Sequence, residues 1–123
     1  MAILDTNILI DYLHGRDKTG WMVERLSESG EIAITSINKY ELLKKFPREP
    51  KLASLLDQMK IYPFDDAASS KAAELWQELR KVGKSIDEMD LLIAAIALAN
   101  DEILFTEDKA FGNIDSGKIS VVK

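Results

Sequence analysis

Short apolar runs and longer helical stripes alternate along the whole chain. The runs at 2–4, 32–35, 61–64 and 103–106 are rich in β-branched or aromatic residues and too short for helices, so they predict strands. Val121 and Val122 predict a last short one. Between them, apolar residues recur at helical spacing over about 7–14, 20–29, 37–46, 51–59, 66–82 and 86–99. Gly15, Gly30 and Gly83 stand where helix C-termini are wanted, and Ser85 with Glu88 forms a capping-box pattern for the last helix. Strand and helix in alternation favour an α/β fold, a three-layer sandwich with a short, mainly parallel central sheet flanked by helices. No repeat, low-complexity stretch or Gly-, Ser- or Pro-rich linker interrupts the pattern. The 123 residues therefore read as one domain, long enough to bury a core.

The polar residues that close each strand sharpen this picture. In chain order they are Asp5, then Thr35 and Ser36, then Asp65, then Thr106, Glu107 and Asp108. Ligands of open α/β sheets bind beyond the carboxyl ends of the strands, near a topological switch point. Acids thus gather on the edge where a site is expected.

Two acids resist a structural explanation. Residues 91–99 are apolar on all sides, the mark of a helix buried in the core. Asp87 and Glu88 suit the first turn of that helix, where acids complement its dipole. Asp90 is expected deeper, on the stripe of Ala94 and Ala97, with no basic residue following in the helix. A buried carboxylate without a cation, metal or proton costs several kcal/mol, and the small alanines leave room for an ion. Asp5 lies between Ile3-Leu4 and Ile8-Leu9-Ile10. It is placed to cap the next helix, but Thr6 and Asn7 offer the same service. Glu41, paired with Lys44 or Lys45, reads equally well as a surface glutamate, and Asp108 as a turn former. Asp11, Asp17, Asp57, Asp66, Asp101 and Asp115 read as solvated faces, caps or turns. Apolar stripes at Ala72, Leu75, Trp76, Leu79 and Val82, and at Leu52, Leu55, Leu56 and Met59, read as core faces.

Composition narrows the chemistry. There is no cysteine and a single histidine, His14, which removes thiolate sites, disulfides, a histidine triad and paired-histidine metal sites. Hard oxygen ligands alone suit Mg²⁺ or Mn²⁺. No Gly-rich phosphate loop is present. A net charge of −5 is the wrong sign for nucleic-acid binding by global electrostatics, although divalent cations at an acidic site reverse the local sign. The N-terminus lacks a basic region and reaches Asp5 too early for a signal peptide, and no apolar run approaches the ~20 residues that span a bilayer. A soluble cytoplasmic protein with no membrane partner is expected.

The motifs Ile3-Leu4-Asp5-Thr6-Asn7-Ile8-Leu9-Ile10-Asp11, Thr35-Ser36 leading to Glu41-Leu42, Asp90-Leu91-Leu92-Ile93-Ala94-Ala95, and Thr106-Glu107-Asp108 followed by Phe111 resemble, in order and spacing, those of the PIN-domain ribonucleases. In size the chain is similar to the VapC toxins of VapBC toxin–antitoxin pairs. The resemblance implies a PIN-like fold and Mg²⁺- or Mn²⁺-dependent hydrolysis of RNA by an acidic quartet of Asp5, Glu41, Asp90 and Asp108. Asn7 and Thr106 would orient carboxylates or water from behind. It also implies a homodimer and a VapB-type antitoxin. Many relatives carry a further acid just before the phenylalanine, where this chain has Ala110, a departure that bears on a second metal position and on Asp108. Lys44, Lys45 and Arg48 stand where they would guide an RNA backbone, or form a solvated basic cluster. The rival readings are a Mg²⁺-dependent phosphatase or phosphoacceptor domain and a non-catalytic PIN-fold binding module.

Overall fold

A computed structural model describes residues 1–15 and 17–122, with the side chains of Asp17, Lys18, Thr19 and Ser27 outside the description. The element order is β1 (Ala2–Leu4), α1 (Thr6–Leu13), α2 (Asp17–Ser29), β2 (Ile32–Thr35), α3 (Ser36–Lys45), α4 (Pro50–Asp57), β3 (Lys60–Tyr62), α5 (Asp66–Lys81), α6 (Glu88–Ala99), β4 (Ile103–Thr106) and β5 (Ile119–Val121). A 3₁₀ turn, Lys109–Asn113, sits between β4 and β5, and no apolar periodicity announced it. The expected strands and helices are all present, with ends displaced by no more than three residues and three strands unchanged.

The five strands form one parallel sheet in the order β3-β2-β1-β4-β5. Side chains alternate across it. Ile3, Ala33 and Leu104 face a core built with α5, α6 and Phe111. Leu4, Ile32 and Ile34 face a second core built with Ile8 and Leu9 of α1, Val23 of α2, Leu42 of α3 and Leu52 of α4. Apolar residues on both faces explain why the strands read as continuous runs rather than alternating ones. The result is the three-layer α/β sandwich that the sequence predicted.

Helix α6 is the centre of the first core, with Ile93, Ala94, Ala95, Ile96 and Ala97 fully buried. Burying each isoleucine contributes about 2 kcal/mol. Three details differ from expectation. Ser85 and Glu88 do not form a capping box: α6 starts at Glu88 behind Asp87, which makes no side-chain cap bond. The Ser85 carbonyl instead accepts from Asn113 Nδ2 at 2.9 Å, while Ile86 packs on the core and keeps the segment out of the helix. Asp90 consequently lies in the first turn of α6, not deeper. On α5, Ala72, Leu75 and Leu79 are buried, but Trp76 and Val82 are exposed at 45% and 64%, because the stripe is wider than the face α6 covers.

The chain reverses at Gly30 and Gly83, whose φ values of 72° and 69° are left-handed. A β-carbon at either would be strained. Among the described residues, no helix is long and apolar enough to cross a membrane.

Candidate active site

Strands β1 and β4 lie side by side at the middle of the sheet, and the chain leaves them toward opposite faces. This is the switch point at which α/β sheets open a crevice. A cleft of about 240 Å³ occupies it, and Asp5, Glu41, Asp90 and Asp108 all line it, with Thr6, Asn7, Lys44 and Lys45. The structure thus brings together the four acids singled out from the sequence. Arg48 is exposed on the loop after α3 and does not line the cleft.

Asp5 occupies the cap position of α1, but among the described residues its Oδ1 accepts only from the adjacent Thr6 N–H, at 2.9 Å. Its Oδ2 accepts from the Thr106 hydroxyl across the sheet, at 2.8 Å. The Thr106 oxygen in turn accepts from the Asp108 N–H at 3.0 Å. Asp108 caps the 3₁₀ turn through Oδ1, which accepts from Ala110 N at 2.9 Å, so its bland role as a turn former coexists with a place in the cleft.

Glu41 is held by a second threonine. The Thr6 hydroxyl donates to Glu41 Oε1 at 2.7 Å and accepts from Asn38 Nδ2 at 2.9 Å. Asn38, fully buried, accepts the Thr35 N–H and hydroxyl at 2.8 Å each, which fixes its amide orientation. Among the described residues, Glu41 makes no ion pair with Lys44 or Lys45, so the surface-glutamate reading fails for lack of its partner. Lys44 instead lies over the Tyr40 ring, 4.9 Å from its centroid.

Thr6 and Asn38 were not singled out from the sequence. The signal was the spacing Thr35-x-x-Asn38, a capping box with asparagine in the glutamine position, which the helix uses as such. Asn7, which was singled out, stands exposed at the rim of the cleft.

The electrostatics of the cleft are those of repelling carboxylates. Burial pushes Asp5 up from 3.8 to about 6, against the Thr106 and Thr6 hydrogen bonds that lower it, with Glu41 and Asp108 raising it further. Burial pushes Asp90 up to about 7, reinforced by Asp5, Asp108, Asp87 and Glu41. A helix N-terminus favours an ionised acid. Asp90 moves the other way, so burial and four like charges outweigh the dipole.

The residues fit a divalent cation. Four hard oxygen donors surround one small cleft, and no ion pair reaches Asp90 among the described residues. No three acidic side chains among the described residues stand close enough to wrap an ion unaided. An ion here would therefore bind through one or two carboxylates and retain water, a mode open to Mg²⁺.

The chain and its fold have counterparts. A family model for the PIN domain matches residues 2–117. Ribonuclease VapC1 of Methanocaldococcus jannaschii is 29% identical over 110 residues, covering 87% of this chain and 75% of the relative. Ribonuclease VapC19 of Mycobacterium tuberculosis is 31% identical over 110 residues, covering 86% and 87%. A chain in the crystal structure of VapBC2 from Rickettsia felis, bound to a DNA fragment from their promoter, superposes with a TM-score of 0.81. It is 27% identical, covering 98% of this chain and 96% of that one.

Proposed function

The chain belongs to the PIN-domain family, and on that premise we propose that it is a Mg²⁺- or Mn²⁺-dependent endoribonuclease, the toxin of a type II toxin–antitoxin pair. The observation that carries the reading is the convergence of Asp5, Glu41, Asp90 and Asp108 on one cleft at the switch point of the sheet. Its relatives are ribonucleases by name.

In this reading Asp5 and Asp90 are the principal ligands of the cation. Their raised proton affinity reflects charge that a divalent ion neutralises better than a proton does. Thr106 and Thr6 each have one hydroxyl proton, and each spends it on a cleft carboxylate. Because backbone Asp108 N–H and the Asn38 amide occupy the threonine oxygens, neither hydroxyl can rotate away without losing a bond. Asp5 and Glu41 are therefore held in fixed orientation, as residues behind a metal ligand commonly do. When bound, the ion supplies a water of lowered pKa and countercharge for the leaving oxygen. Lys44 and Lys45 stand at the cleft to draw a phosphodiester toward it against the net charge of the chain.

A VapB-type antitoxin, a homodimeric toxin and a cytoplasmic location complete the proposal. The likeness to the VapBC2 structure and to the VapC ribonucleases supports the antitoxin, while the homodimer and the location follow from the family resemblance alone. The test is cleavage of RNA by purified protein: active in Mg²⁺ or Mn²⁺, lost on chelation, and lost in Asp5→Asn. Hydrolysis of a phosphomonoester with RNA left intact would favour the phosphatase reading.

A further inference from the structure

The acidic cleft does not end at Asp108. A second hollow of about 490 Å³ opens beside it, reaching Asp11, His14 and Glu107. Asn7, Ile10, Lys45 and Asp108 line both. Sharing these four residues, the two form one groove, with Asp5, Glu41 and Asp90 at one end, His14 with Asp11 and Glu107 at the other, and Asp108 between.

His14 follows the last turn of α1 and is exposed. Its ring meets Phe46 edge-on, with centroids 5.6 Å apart and planes at 75°. The contact is edge-on and the residue is exposed, so ring surface remains for a stacking partner. Ile10 adds an apolar surface, Asn7 a carboxamide and Lys45 an ammonium group. The volume lies within the roughly 300–1,000 Å³ of small-molecule sites. Asp11, Glu107 and Asp108 complete the lining and repel a phosphate, so only the Lys45 side suits one, while the ring, the apolar surface and the amide match a flat base with a polar edge.

We propose that this outer hollow is a nucleotide subsite, taking the RNA residue next to the scissile phosphate with its base against His14 and Ile10. Lys45, shared by both hollows, sits where the phosphate between them passes. The inference rests on the ribonuclease reading. It implies a single-stranded substrate, because a base still paired and stacked in a duplex cannot enter the hollow.

The test uses the full chain in Mn²⁺ with single-stranded RNA oligonucleotides that carry one cleavage site, shortened one nucleotide at a time from each end. For the wild type, removing the nucleotide that fills the hollow raises KM roughly tenfold, the scale of one base–aromatic stack, with kcat held. In His14→Ala, KM for the full oligonucleotide is raised by a similar factor and that truncation step disappears. His14→Phe restores the step, since stacking needs only a ring. Fluorescence anisotropy of 2′-O-methyl oligonucleotides on metal-free protein repeats the pattern as binding. Cleavage by both proteins with the same change in KM on truncation in wild type and His14→Ala overturns the subsite alone. A wild type that cleaves no RNA in either metal overturns the ribonuclease reading and the subsite with it.

Discussion

Helices α5 and α6 each start on an acidic turn, with Asp65 and Asp66 at the first and Asp87, Glu88 and Asp90 at the second. At α5 the acid is used by the helix itself: Asp65 Oδ1 accepts from Ala68 N at 3.0 Å. At α6 the cap position makes no side-chain bond, and Asp90 faces Asp5, Glu41 and Asp108 across the cleft with its carboxyl pushed up to about 7. The residue types are the same, although Asp65 is the cap of α5 and Asp90 is the third residue of α6. What differs is what lies opposite: solvent at α5, three further carboxylates at α6. An acid at a helix start is therefore a structural device or a ligand according to its tertiary surroundings, and sequence position alone does not separate the two.

Of the effects on folding and binding, the largest expected is metal-linked stability. Mn²⁺ at about a hundred times its dissociation constant stabilises the wild type by about 2.7 kcal/mol. Asp65→Asn keeps this gain and Asp90→Asn loses most of it, as read by thermal melts with and without the ion. Equal gains in the two variants would erase the contrast between the helices.

Next come the threonines. Thr106→Val and Thr6→Val each remove the donor to a cleft carboxylate and are expected to lower Mn²⁺ affinity or RNA cleavage by about 10–100-fold. Calorimetric titration and initial rates measure this. Loss of fold stability with metal affinity intact would place the threonines with the structural set, beside Asp65.

The pH response has opposite signs for fold and function. Asp90 and Asp5 have folded values above the unfolded 3.8, so the stability they contribute to metal-free protein is full below that value. It is lost as pH rises through about 6 and about 7. Asp90→Asn therefore melts higher than wild type at pH 8, by roughly 5 °C once solvent screening is allowed for, with the gap closing toward pH 4. Metal binding needs the ionised acids, so Mn²⁺ affinity falls as pH drops through the same window. The smallest effect belongs to α5: Asp65→Ala costs about 1 kcal/mol in denaturant unfolding and leaves RNA cleavage at the wild-type rate.

Much of this was legible in the sequence, for identifiable reasons. Three strands end where the apolar runs end, because a sheet covered on both faces demands apolar residues throughout. Asp90 stood out because the helix carrying it is apolar on every side. The capping of α6 was misread because Ser85 and Glu88 have the right spacing, while the packing of Ile86 decides where the helix starts. The roles of Thr6 and Asn38 were hidden because they depend on a contact 32 residues apart in sequence, between α1 and α3. No local pattern reports such a pairing. His14 was read only for the chemistry that a single histidine rules out, and no local pattern placed it in a hollow with Lys45.

The most direct test compares RNA cleavage by wild type, Asp65→Asn and Asp90→Asn, each in Mn²⁺ and after chelation. The account predicts that wild type and Asp65→Asn cut at equal rates only with the metal, and that Asp90→Asn falls by about a thousandfold or more. Cleavage by Asp90→Asn at the wild-type rate, or cleavage that persists after chelation, would contradict it.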